Sequence, residues 1–90
     1  FSPNSFDVYQ NSPNPFNPST DIRFDIPKSG FVTMKVFDIS GKELETLVNE
    51  KLEPGKYKAV FNGSNLASGV YFYQLFTNGY SETKKMVLVK

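Results

Sequence analysis

From Asp21 to Ile26 the chain alternates without a break: Ile22, Phe24 and Ile26 fall on one side of an extended backbone, Asp21, Arg23 and Asp25 on the other. A period of two sends successive side chains to opposite faces, so this stretch predicts a half-buried strand with its charges in solvent. The period returns between Phe31 and Asp38, where Val32, Met34 and Val36 oppose Thr33 and Lys35. Only the turn-forming Pro27-Lys28-Ser29-Gly30 lies between the two runs, and so short a connection predicts a hairpin.

Further strands are predicted from Phe6 to Tyr9, as a short edge, from Tyr57 to Asn62, from Val70 to Thr77 and from Tyr80 to Lys90. Asn78-Gly79 joins the last two, and Asn-Gly between alternating runs is a strong two-residue hairpin signal. Turns are expected at Asp38–Lys42, where Gly41 can take a positive φ and Asp38 can form an Asx turn, at Glu53–Lys56 and at Asn62–Asn65. Glu43–Lys51 fits two patterns: Leu44, Leu47 and Val48 follow helical spacing, whereas Leu44, Thr46 and Val48 alternate. Its shortness and its β neighbours favour a strand. The sum is an all-β chain, an antiparallel β-sandwich of about seven strands.

Asn14-Pro15-Phe16-Asn17-Pro18-Ser19-Thr20 leads into the first long strand. Each proline holds φ near −65° and keeps the preceding asparagine out of the α region, so the segment is a rigid, non-helical lead-in. The asparagine side chains are expected to accept bonds from backbone N–H groups a residue or two further on.

Ninety residues allow one domain and one core. Nine phenylalanines and five tyrosines enlarge that core, since an aromatic ring buries roughly 150–250 Å². The chain has neither cysteine nor histidine. Disulfides, thiolate metal sites and the usual nucleophile–base pairs are therefore excluded, and no cofactor is expected. A net charge of +1 with scattered cations gives no field for nucleic acid. The longest apolar run, Met86-Val87-Leu88-Val89, is too short to span a membrane as a helix. The chain opens at Phe1 without a signal segment, so it reads as a fragment of a longer parent, with residues 1–5 as a linker remnant and 6–90 as the domain.

Five segments in order, Asn14–Thr20 with the strand after it, Val36–Leu47, Asn65–Leu75 and the terminal Lys84–Lys90, resemble the type A C-terminal sorting domain of the type IX secretion system. That family is related to the immunoglobulin-like domain of flagellar hook-capping proteins, and the resemblance covers residues 9–90. It implies an immunoglobulin-like sandwich, a strand at Glu43–Lys51, and a slot for Phe61 that relatives often fill with Trp. It implies too a non-catalytic module, not an enzyme, that directs an N-terminal passenger across the outer membrane of a Gram-negative bacterium. The implied partners are the type IX translocon, a surface sortase and the passenger itself; nucleic acid and a membrane span are not expected, and the domain is expected to be a monomer. The implied route runs through the periplasm to the cell surface or the medium. By the same resemblance Gly69 and Tyr71, with Lys84, Lys85, Met86 and Val87, are sorting-motif residues.

The residues themselves carry a plainer reading beside that one. Gly69 permits a close approach into a strand, and Tyr71, Tyr73 and Leu75 face the core with their hydroxyls at its rim. Lys84 and Lys85 are lysines that discourage edge pairing on an ordinary strand. Asp21 with Asp25, and Glu43, Glu45, Glu50 and Glu53, read as wet strand faces rather than converging carboxylates. Asn62-Gly63-Ser64 matches a glycosylation acceptor but reads as a turn. A permanent structural or adhesion domain, as in a hook-capping protein or a spacer in a surface enzyme, is the alternative to sorting.

Overall fold

The computed structural model describes residues 3–90, so Phe1 and Ser2 of the expected linker remnant lie outside the described residues. Seven strands follow one another: β1 (Asp7–Val8), β2 (Ser19–Ile26), β3 (Gly30–Phe37), β4 (Glu43–Leu52), β5 (Gly55–Asn62), β6 (Gly69–Thr77) and β7 (Tyr80–Leu88). They form two antiparallel sheets, one ordered β1-β2-β5 and the other β4-β3-β6-β7. Glu43–Leu52 is a strand, as the β context favours. The β6–β7 hairpin turns at Asn78 and Gly79 with φ of 47° and 79°. Positive φ at both positions is what a two-residue turn matched to strand twist requires.

Expectation and structure part at Pro27. β2 and β3 do not form a hairpin: β2 pairs with β1 and β5, and β3 pairs with β4 and β6. Each is an interior strand of its own sheet, and the short link carries the chain from one layer to the other. Both strands bury a full apolar face, Ile22, Phe24 and Ile26 in one and Val32, Met34 and Val36 in the other, each no more than 2% exposed. Two such faces are hidden more completely by packing across the sandwich than by lying side by side.

The doubtful spacing in β4 also has a physical origin. The register with β3 slips twice, between Met34 and Lys35 and between Val36 and Phe37, so that Leu47 and Leu44 are the extra residues of two bulges. Each bulge breaks the alternation once. Leu44, Leu47 and Val48 all end half-buried against the core, which is why they imitate a helical repeat.

One further residue departs from its expected place. Asp25, assigned to the solvent face of β2, is only 6% exposed. β1 lies beside it, with Asp7 opposite Asp25, and the Tyr9 hydroxyl donates to its carboxylate while Lys56 Nζ approaches to 3.5 Å. The remaining acids are dispersed: Asp21 faces Lys58 at 3.8 Å and Glu43 faces Lys35 at 3.0 Å. Exposed pairs of this kind are worth about 0–1 kcal/mol each.

Candidate functional site

Three stretches far apart in sequence meet at one end of the sandwich: the Asn-Pro segment, the loop after β5, and the terminal strand. The first is anchored to β2 by reciprocal backbone bonds between Ser12 and Asp21, both 2.9 Å. Beneath it lies a buried polar knot. Asn11 Nδ2 donates to Pro13 O at 3.1 Å and to Thr20 Oγ1 at 3.0 Å, and Thr20 Oγ1 donates to Pro13 O at 2.9 Å. Prolines supply no N–H of their own, so side-chain donors satisfy the carbonyl they leave in the interior.

The knot holds Phe16 against β7. Phe16 N donates to Val87 O at 2.9 Å and Phe16 O accepts from Val89 N at 3.0 Å. Asn14 Oδ1 accepts from Val87 N at 3.1 Å, and Gln10 Nε2 donates to Lys85 O at 2.6 Å. Asn14 thus reaches a strand at the far end of the chain, not the residue or two ahead that its own sequence suggests. The outer edge of β7 from Lys85 to Val89 is thereby covered, and an uncovered edge is where strands of other molecules add.

Under this strap the Phe16 ring is 1% exposed and meets Phe61 edge-on, with centroids 6.0 Å apart at 69°. Phe61 occupies the core slot expected of it. Gly63 completes the contact: a Cβ there would lie 3.1 Å from Leu88 Cδ2 and 3.5 Å from the Phe16 ring. Its N–H donates to Pro18 O at 2.8 Å. The loop that follows is clamped from both sides. Tyr71 Oη donates to Ala67 O at 2.6 Å, Lys90 Nζ to Ser64 O at 2.6 Å, and Lys90 N to Ser68 Oγ at 3.0 Å. A tyrosine early in the sixth strand bonding back to the backbone a few residues upstream is the tyrosine corner of immunoglobulin-like sandwiches. Asn62 Oδ1 accepts from Ser64 N at 2.8 Å, which closes the turn read at that position.

The residues singled out as sorting-motif positions divide sharply. Gly69 opens β6 opposite Leu88, and Tyr71 lies opposite Met86; Tyr71 and Met86 are both buried. Val87 is held by the strap through its backbone. Lys85 is exposed on the outer face, opposite Phe72. Lys84 sits on the inward side of β7, half-buried, with Nζ 3.2 Å from Glu82 Oε2. It is not on the same exposed side as Lys85, because adjacent residues of a strand point to opposite faces. Glu82 is held below its usual carboxylate range, first by the Tyr80 hydroxyl and then by Lys84. Burial, then the bond to Glu82, pushes Tyr80 up to about 12.

The sequence reading gave no role to Gln10 or Asn11 and took Gly63 only as a turn residue and Lys90 only as part of the terminal segment, since the contacts of each depend on partners distant in sequence. No helix among the described residues is long and apolar enough to cross a membrane.

A seven-stranded antiparallel sandwich whose terminal strand is strapped by a proline-rich lead-in and clamped to a tyrosine corner defines an immunoglobulin-like module with one built end. The secretion system C-terminal sorting domain model matches residues 8–90, and the chain belongs to that family. It is a C-terminal sorting domain for type IX secretion, a signal for export across the outer membrane. Comparison with curated proteins and with solved structures returned no significant match.

Proposed function

We propose that residues 6–90 act as a monomeric, non-catalytic export signal that is read in its folded form, with residues 1–5 as the remnant of the linker to an N-terminal passenger. The translocon reads the outer face of β7, where Lys85 projects, and the buried motif residues Gly69, Tyr71 and Met86 shape that face rather than touch the reader. Lys84 and Val87 position the strand, one through Glu82 and the other through the strap. After transit from the periplasm a surface sortase removes the module and attaches the passenger to the cell surface or releases it.

The observation that supports this reading is the meeting of the Asn-Pro segment, the loop after β5 and the terminal strand at Phe16, Gly63 and Leu88. A linear tag has no need of contacts between its first and last parts, whereas a folded signal depends on them. Lys85→Ala is the informative change, because an exposed lysine without a partner contributes within about 0.5 kcal/mol to stability. A passenger fusion carrying it should melt at the wild-type temperature yet be retained in the periplasm. Wild-type export of that fusion would remove β7's outer face from the recognition surface.

A further inference from the structure

Among the described residues the two sheets leave four edge strands, β1 and β5 in one and β4 and β7 in the other. An unpaired edge is a template for a strand of another molecule, and three of the four carry a built-in obstacle. β1 has only two residues. β4 is broken by its two bulges and exposes Glu43, Glu45 and Glu50. β5 follows Pro54 and exposes Lys56 and Lys58. β7 bears Lys84 and Lys85 near its middle, but the run that finishes it and passes beyond, Met86-Val87-Leu88-Val89, has neither charge nor proline. No bulge interrupts the strand either, because β7 keeps a single register with β6. It is on this run that the Asn-Pro segment lies.

Phe16 makes one parallel bridge, to Leu88, donating its N–H to Val87 O and accepting from Val89 N. Continued two residues back, a parallel ladder would bring the N–H of residue 14 to Lys85 O and its carbonyl to Val87 N. Those two groups of β7 are satisfied, but by side chains: Gln10 Nε2 donates to Lys85 O at 2.6 Å and Asn14 Oδ1 accepts from Val87 N at 3.1 Å. The polarity is fixed from behind. Thr20 Oγ1 donates to Pro13 O and accepts from Asn11 Nδ2, so Asn11 turns its Oδ1 toward Gln10 and accepts from Gln10 Nε2 at 2.7 Å. Gln10 therefore faces β7 as a donor and Asn14 as an acceptor. Pro13 and Pro15, on either side of Asn14, have no N–H, so this substitute strand offers a further strand little to pair with.

We infer that Gln10 and Asn14 complete, with Phe16, an edge guard: a side-chain copy of a strand that keeps β7 from pairing with β7 of a second copy of this chain. The excluded partner is a second copy because the edge is self-complementary. Laid antiparallel about Val87, two copies set Val87 against Val87 and Lys85 against Val89, so no lysine of the outer face meets another, and the two-fold axis is that of the commonest homodimers. The guard has this use whether or not β7 is the surface read during export.

The test uses the purified 90-residue domain, with amide exchange at Val87, sedimentation over rising concentration and a thermal melt of each variant. Gln10→Glu with Asn14→Leu sets an acceptor against Lys85 O and removes the acceptor from Val87 N. Both side chains are exposed, so the fold should hold. Exchange at Val87 should quicken about fivefold, the factor set by the net worth of one hydrogen bond, and a dimer should appear as concentration rises where the wild type stays a monomer. Adding Val89→Lys, at a residue 50% exposed, should return the variant to a monomer without slowing Val87 again, because it puts lysine against Lys85 of the second copy. Fast exchange in a variant that stays monomeric at every concentration overturns the guard, and unchanged exchange overturns the part given to Gln10 and Asn14. Association that survives Val89→Lys runs through another surface and overturns the guard too. Should the double variant not fold, Asn14→Asp and Asn14→Leu decide: the first keeps the acceptor and must leave Val87 protected, the second must expose it, and any other pattern overturns the assignment.

Discussion

Leu88 lies over Gly63 so closely that a Cβ on the glycine would stand 3.1 Å from Leu88 Cδ2, with the Phe16 and Phe61 rings at 3.5 and 3.6 Å. The terminal strand and the post-β5 loop are fitted to one another at a position where no side chain is tolerated without movement. Gly63→Ala sets that overlap, about 1–3 kcal/mol for overfilling a close-packed site, against the unfolded-chain entropy that replacing a glycine removes, about 0.4–1 kcal/mol in favour of folding, and urea unfolding of the purified domain should show a net loss. A neutral Gly63→Ala would mean that Leu88 moves aside freely and that the end is not tightly built.

Tyr71→Phe keeps the ring in the core and removes only the bond to Ala67 O. The expected loss is about 1 kcal/mol, the net worth of one intramolecular hydrogen bond. Hydrogen exchange should quicken in the loop between Asn62 and Ser68 more than in β2 or β3. Uniform protection across wild type and variant would show that the tyrosine corner does not brace the loop.

Thr77 Oγ1 is buried without a hydrogen-bond partner. A hydroxyl stranded in this way costs stability, and Thr77→Val removes it at nearly constant volume in a strand. A gain of about 1 kcal/mol is expected, which for a domain of this size raises the melting temperature by roughly 4–8 °C. A lower melting temperature would show that the hydroxyl has a partner.

Alkaline pH should weaken the fold. Tyr73, whose hydroxyl donates to Tyr9 O at 2.6 Å, is pushed up to about 12, chiefly by burial. Tyr9 is raised to about 12, first by donating its proton to Asp25, and Tyr80 also to about 12. In the unfolded chain a tyrosine titrates near 10. Between pH 10 and 12 the unfolded state has released protons that the folded state still holds, so stability falls with rising pH across that window. Below pH 10 these groups contribute in full. Denaturation at stepped pH should show the decline, with a shallower slope in Tyr73→Phe; a flat profile to pH 12 would contradict the burial of that hydroxyl.

The faces of the strands were readable from residue order, but their partners were not. Alternation at Ile22, Phe24 and Ile26 says which side is buried, and Asn78-Gly79 names its own turn. Both signals are local. Whether β2 pairs with β3 or crosses to the other sheet depends on what β5 and β6 supply, and no local pattern at Pro27 records it. Bulges at Leu44 and Leu47 erased the period in β4 for the same reason: the partner strand determines where an extra residue goes. At the candidate site the resemblance named Gly69, Tyr71 and Lys84–Val87 together, while the division into Lys85, exposed, and Tyr71 and Met86, buried, emerged only with the β6–β7 register. The contacts that join the segments, Asn14 to Val87 and Gly63 to Leu88, are long-range and leave no trace in composition or spacing.

The central claim is that this folded domain is sufficient to route a passenger through the type IX translocon. A reporter with a signal peptide, fused ahead of residues 1–90, should be measured in periplasm, cell surface and medium of a type IX-competent strain and of the same strain lacking the translocon pore. The reporter is expected at the surface or in the medium of the first and in the periplasm of the second. Equal distribution in the two strains would contradict the account.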